Sequence, residues 1–301
     1  LREILGRLLR GEDVLAVSEE RTLAPASARN GVLRPLRVLL AEDNLVNQKV
    51  AVNLLRKLGH APDIVGDGRQ VLGAVQRTPY DVVLMDCQMP ELDGYETTRQ
   101  LRRDEAAGEF GDRAALYIVA LTANAMAGDR ERCLACGMDD FLTKPLEETQ
   151  LRAALHRAQQ ARDGIPAGAI PPVAAAADVA SDDAALAVLD PATLDSFRSL
   201  RQAGQPDPVA ELVDLFVADL PVRIEALRSA LESRDLAAVK VAAHTLKGSA
   251  SNVGGRRLAA RCAALESAAA QSGLPDDGER LSRIEQAASE LKVALLAEKA
   301  R

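Results

Sequence analysis

The chain has 301 residues, 48% of them apolar, and a net charge of −7. That is enough apolar content and length for two domains of ordinary size. The acidic balance supplies no basic field for nucleic acid. No apolar run reaches the length of a membrane span and no secretory leader is visible, so neither nucleic acid nor membrane is expected as a partner. Aromatics are only 2% and Trp is absent, so the cores must be aliphatic. Four cysteines, at 87, 133, 136 and 262, are scattered rather than set out as a disulfide scaffold, which points to a reducing cytoplasm. Cys133 and Cys136 form a CxxC, but no second CxxC or nearby His completes a zinc set, and they read as packing residues.

Residues 1–35 read as an upstream tail or linker. The first residue is Leu1 rather than Met, which suggests a piece of a longer protein. LREILGR at the start matches LRAALHR (151 to 157) at four of seven positions, so residues 1 to 10 read as the last helix of a preceding domain of the same kind as 36–158, unless the likeness is chance.

From residue 36 strands alternate with helices. LRVLLAED (36 to 43) is an apolar run ending in acids, and NQKVAVNLLRKLG carries a helical stripe at Val50, Leu54, Leu55 and Leu58 before a Gly stop. A short strand near DIVGDG, a helix at RQVLGAVQR and the strand YDVVLMD follow. Then come a helix around YETTRQLRR, the strand LYIVALT, a helix near DRERCLACG, the strand DDFLTKP and the helix LEETQLRAALHRAQ. Continuous apolar strands alternating with helices predict a doubly wound, five-stranded parallel sheet over 36–158.

In such a sheet the carboxyl ends of the strands share one edge, where α/β proteins bind ligands. Glu42 and Asp43 end the first strand, Asp86 the third, Thr122 the fourth and Lys144 the fifth. Singly, each reads as a cap or a surface charge. Together they form a carboxylate cluster whose members raise one another's pKa unless a cation sits among them, and Mg²⁺ with oxygen ligands is the natural occupant. Asp86 is then placed to attack phosphorus and form an acyl phosphate, with Lys144 and the cation neutralising charge on the phosphoryl oxygens.

LLAEDN, VLMDCQMPELDG, ALTANA and FLTKP together resemble the receiver family of response regulators across 36 to 158. The resemblance implies a flavodoxin-like fold, Asp86 as phospho-acceptor, and Mg²⁺ held by Asp43 directly and by Glu42 mostly through water. It further implies Asp86 and the main-chain carbonyl of Gln88 as metal ligands, Thr122 and Lys144 as phosphoryl-binding residues, and Phe141 as the aromatic switch. A dehalogenase-like phosphatase also uses an Asp after a strand, but needs a second acid two residues on; Gln88 occupies that position.

Residues 159–188 interrupt small residues with Pro and Gly and read as a flexible linker. Beyond it the pattern is helical. Asp190-Pro191 and Asp207-Pro208 mark helix starts, and helices are predicted at 191–203, 208–232, 235–252, 255–272 and 277–299, a bundle over 189–301. In the third of these helices, within AAHTLKGSASNVGG, His244 stands one position off the seam of Leu236, Val239, Ala243, Leu246, Ala250 and Val253, at the exposed edge of the core face. Lys240 and Lys247 flank it. His60, in a turn, and His156, on a terminal helix, read as structural or solvated.

HTLKGSASNVG resembles the histidine phosphotransfer (HPt) family of four-helix-bundle carriers. This implies His244 as the phosphorylated residue, Lys247 as the group steadying the phosphoryl, and Gly248 as an opening for a partner domain. The combined reading is the receiver and HPt end of a hybrid sensor histidine kinase, cytoplasmic, with any anchor in the inner membrane belonging to the parent kinase. It contains no ATP-binding kinase core in these residues. Its partners are an upstream kinase histidine, in the same chain or a dimer partner, and the receiver of a downstream response regulator. A stand-alone relay shuttle and a non-phosphorylated docking module are the alternatives.

Overall fold

The computed structural model describes residues 36–111, 115–122, 127–165, 186–198, 201, 207–271 and 277–300. The helix expected within residues 1–35 and the central part of the expected linker lie outside the described residues.

Five parallel strands, β1 (Val38–Ala41), β2 (Asp63–Val65), β3 (Val82–Asp86), β4 (Tyr117–Thr122) and β5 (Asp140–Thr143), form one sheet in the order β2-β1-β3-β4-β5. Every residue of β1, β3 and β4 is buried, as their unbroken apolar runs require. The cover comes from α1 (Leu45–Lys57), α2 (Gly68–Arg77), α3 (Gly94–Ala106), α4 (Ala127–Ala135) and α5 (Glu148–Arg162). One face of the sheet, with Leu39, Val83, Met85 and Ile118, packs with Val71, Tyr95, Leu101 and Cys133. The other, with Val38, Leu40, Leu84 and Val119, packs with Val46, Val50, Leu151 and Leu155. The cysteines of the CxxC are buried thiols, and Cys136 Sγ donates to the Cys133 carbonyl at 3.0 Å.

The helical half consists of α6 (Pro191–Arg198), α7 (Pro208–Glu232), α8 (Leu236–Asn252), α9 (Arg256–Ala270) and α10 (Asp277–Lys299). Asp207 caps α7, with Pro208 in its first turn, and Asp235 caps α8. The sequence sets apolar residues at Leu281, Ile284, Ala288, Leu291 and Leu295 along α10, at spacings of three and four; the last four are buried and Leu281 is half-buried. Two boundaries differ from the sequence reading. Helix α5 continues to Arg162, into the stretch expected to be linker, and α6 is described only to Arg198. The far end of that stretch is fastened to the bundle, because the Arg257 guanidinium donates to the Leu186 carbonyl at 2.8 Å.

His244 is not at an exposed edge. Residues 243–250 of α8 are buried on every side of the helix. One side faces the bundle core, and the other lies under α1, which packs on α7 and α8. The amphipathic pattern revealed only the first of these two covers. As a result, the apolar face of α1 and α5 and the core of the bundle form one continuous cluster.

Gly94 sets the closeness of α3 to the site. A Cβ there would fall inside the Asp86 carbonyl oxygen and 3.0 Å from Met85 Cγ. Gly94→Ala should therefore displace α3 from the end of β3, and overpacking of this kind costs about 1–3 kcal/mol. Thermal unfolding of the variant should show a lower midpoint; an unchanged midpoint would mean that the strand end yields freely.

Candidate functional site

Glu42, Asp43 and Asp86 bring carboxylate oxygens within 4.8 Å of one another at the carboxyl edge of the sheet. Lys144, just past β5, reaches between them: its Nζ lies 2.6 Å from Glu42 Oε2 and 2.6 Å from Asp86 Oδ2. Glu42 is held from its other oxygen, which accepts from Asn47 Nδ2 at 2.8 Å and from the Asn44 amide at 3.3 Å. Asp86 Oδ1 accepts from the Gln88 amide at 3.1 Å. Thr122 is buried at the end of β4, level with Thr143 of β5. Phe141 is buried in β5 beside Ala120, with the Arg130 guanidinium 5.6 Å from its ring centroid. The strand ends thus converge as the sequence pattern requires.

The charges do not balance within this cluster. Burial, then the Glu42 carboxylate, push the Asp86 carboxyl well above the usual range, although Lys144 pulls it back. Burial and Glu42 likewise push Asp43 up to about 6, against the opposing charges of Lys144 and Arg223. Burial works against the Lys144 ammonium, but Asp86 and Glu42 outweigh it and hold the proton in place. One buried ammonium among three carboxylates leaves a surplus of negative charge, and an all-oxygen donor set suits a hard divalent cation.

Across the interface, His244 Nδ1 lies 2.8 Å from Glu266 Oε1, and Lys247 Nζ lies 2.6 Å from Glu266 Oε2. A carboxylate only accepts, so the imidazole proton sits on Nδ1 and the lone pair on Nε2. Burial lowers the imidazole pKa, and the ammonium groups of Lys247 and Lys144 add to the effect against the opposing pull of Glu266. Lys144 belongs to the acidic pocket, so the two sites sense one another's charge. Burial pushes the Glu266 carboxyl up, but the His244 hydrogen bond and the Lys247 charge outweigh it and bring it down to about 2. Lys247 is buried, whereas Lys240, expected on the same face, is half-buried. His60 accepts from the Leu36 amide at 3.2 Å and is structural; His156 is exposed.

The sheet and the bundle are joined by polar contacts around these sites. Asn44 Nδ2 donates to Ser249 Oγ at 2.7 Å, and Asn252 Nδ2 donates to Asn47 Oδ1 at 2.7 Å. Lys49 pairs with Glu211 at 2.5 Å, and Arg223 of α7 stands 3.8 Å from Asp43 Oδ2. Gly248 lies beneath Asn47, where a Cβ would meet Nδ2 at 3.4 Å.

Sequence reasoning missed Glu266, Arg223, the Lys49–Glu211 pair and the four joining residues Asn44, Asn47, Ser249 and Asn252. The signal for Glu266 was a carboxylate one turn beyond Cys262, beside the buried stripe of Leu258, Cys262 and Leu265. The joining residues carried no local signal, because their partners are about two hundred positions away.

The response regulator receiver domain family matches residues 38–156, and the Hpt domain family matches residues 211–294. The chain therefore carries a receiver domain and an HPt domain, the pairing of two-component phosphorelay signalling. Among its relatives, the sensor protein GacS of Pseudomonas syringae pv. syringae is 32% identical over 271 residues, which is 88% of this chain and 28% of that protein. Hybrid signal transduction histidine kinase K of Dictyostelium discoideum is 40% identical over 124 residues, 41% of this chain and 10% of that one. The chain thus spans less than a third of either relative. A crystal structure of a sensor histidine kinase receiver domain from Pseudomonas aeruginosa, with magnesium in its active-site cleft, is 44% identical and covers 42% of this chain and 98% of that one, with a TM-score of 0.37.

The Glu266 contact makes a spectroscopic prediction. Nitrogen NMR should find His244 protonated on Nδ1 and titrating below the usual imidazole value of 6.5. Glu266→Ala should lose the tautomer preference, and Glu266→Gln, whose amide oxygen can still accept, should keep it. Because the folded pKa is the lower one, the folded state binds fewer protons at this group. Its contribution to stability therefore falls as the pH drops below that of a free imidazole.

Proposed function

We propose that Asp86 accepts a phosphoryl group from an upstream kinase histidine and passes it to His244 of the same chain, which then delivers it to the aspartate of a downstream response regulator. The observation that carries this reading is the docking of α8 against α1, with His244 covered by the domain whose Lys144 acts on its imidazole charge.

In the first transfer a carboxylate oxygen of Asp86 attacks phosphorus, the P–N bond to the donor histidine breaks, and an acyl phosphate results. In the second, the His244 Nε2 lone pair attacks phosphorus, a P–N bond forms, the P–O bond breaks and the Asp86 carboxylate is restored. Glu266 keeps the proton on Nδ1 and balances the positive charge that develops on the ring. Lys144 and the Thr122 hydroxyl hold phosphoryl oxygens on the receiver side, and Lys247 holds them on the HPt side. Glu42, Asp43, Asp86 and the Gln88 carbonyl would hold Mg²⁺, which supplies charge neutralisation for the phosphoryl oxygens. No step uses ATP in these residues. Phe141 is the receiver switch, following Thr122 when the pocket is loaded.

The parent protein is proposed to be a hybrid sensor histidine kinase, with this region on the cytoplasmic side. Among the described residues no helix is long and apolar enough to cross a membrane.

With acetyl phosphate and Mg²⁺, the wild-type chain should form phosphohistidine at a rate independent of chain concentration, as an intramolecular step requires. His244→Gln should trap an acyl phosphate, and Asp86→Asn should remain unlabelled. EDTA should abolish labelling. Labelling of Asp86→Asn equal to wild type would remove Asp86 from its role, and a rate proportional to concentration would move the transfer between chains.

A further inference from the structure

The polar contacts between α1 and α8 have fixed polarities, and the fixing occurs within each domain. Asn44 is the N-cap of α1: its Oδ1 already accepts from the Val46 and Asn47 amides, at 2.9 and 3.1 Å, so only Nδ2 is free to face outward. Asn47 gives its Nδ2 to the Glu42 carboxylate at 2.8 Å, so it turns Oδ1 outward. The receiver therefore presents a donor and then, one turn on, an acceptor. On α8, Ser249 commits its hydroxyl hydrogen to the Thr245 carbonyl at 3.1 Å and offers lone pairs; Asn252, one turn on, offers Nδ2. The HPt helix therefore presents an acceptor and then a donor. All four side chains are buried.

We propose that these two rungs are the specificity determinants that select which receiver His244 exchanges phosphoryl with. The proposal rests on the relay reading above and names the property that a partner must share: a receiver serviced by this HPt domain carries a donor at the position of Asn44 and an acceptor at that of Asn47. Selection works through the cost of mismatch. A receiver with an apolar or inverted side chain leaves buried polar atoms unpaired or sets two acceptors face to face, and such losses exceed what a matched rung gains. The rungs also set register. A slip of one helical turn moves the helices by about 5.4 Å, too far for in-line transfer.

The test uses the whole chain. Asn252→Asp keeps size and replaces the outward donor with an acceptor facing Asn47 Oδ1; Ser249→Ala deletes the closer acceptor facing Asn44 Nδ2 and leaves it only the long contact to Asp219 Oδ2 at 3.4 Å. Both lie outside the receiver, so acceptance by Asp86 from acetyl phosphate should stay within about twofold of wild type. Transfer on to His244 should slow about tenfold or more in each variant, whereas Ser249→Thr, which retains the hydroxyl, should transfer like wild type. Thermal unfolding checks that each variant is folded, and either one alone suffices. Folded variants that transfer at the wild-type rate overturn the specificity role and leave the relay intact. A wild-type chain that labels Asp86 but never His244 overturns the relay reading and the selection with it.

Discussion

A shortage of positive charge organises this chain. Three carboxylates meet at the edge of the sheet, and Lys144 is the ammonium placed between two of them. The shortage leaves Asp43 and Asp86 with raised pKa values, and it gives the pocket its appetite for a cation and for the phosphoryl group's counterions. It also accounts for features outside the sheet. Arg223 reaches toward Asp43 from the bundle, and Glu42 is hydrogen-bonded by Asn47, the residue that in turn contacts Asn252. Charge compensation and domain docking are thus served by the same side chains.

The histidine side has the opposite arrangement. Here a single carboxylate, Glu266, serves two cationic or proton-bearing partners, and it stays ionised because His244 and Lys247 outweigh the effect of burial. Burying an imidazole, an ammonium and a carboxylate together is tolerable only because each is paired. The pairing also sets the tautomer: it leaves the lone pair on Nε2, while burial favours the neutral ring against the pull of Glu266. In the proposed relay this imidazole is the group that attacks phosphorus, whereas the raised Asp86 carboxyl needs a cation beside it to be held as the carboxylate that accepts.

The sheet was legible in the sequence because buried parallel strands are unbroken apolar runs, and LRVLL, VVLMD and YIVALT could be little else. The pocket followed from topology, since parallel strands must end on one edge. The bundle followed from Asp-Pro caps and the α10 seam. What periodicity could not supply was the second cover of α8. A helix buried on one side by apolar residues and on the other by Thr245, Lys247, Gly248 and Ser249 looks, in sequence, like an amphipathic surface helix with an exposed His. Its polar face is satisfied by another domain, and hydrogen bonds between residues 205 positions apart leave no trace in local pattern. Glu266 escaped for a related reason: a buried charge reads as a surface charge until its partners are known.

The face of α8 that α1 covers has a consequence for throughput. His244 lies on the surface that α1 occupies, and a second receiver needing the same imidazole cannot sit there at the same time. In the proposed relay, loading and delivery therefore take turns, and the residence time of one partner becomes the waiting time of the next. Affinity between matched helices is set mostly through dissociation, so every additional contact that makes docking more selective also lengthens the queue. An interface that selects through polar mismatch rather than through strength, as proposed for the two rungs, is the compromise under which a carrier can discriminate and still turn over.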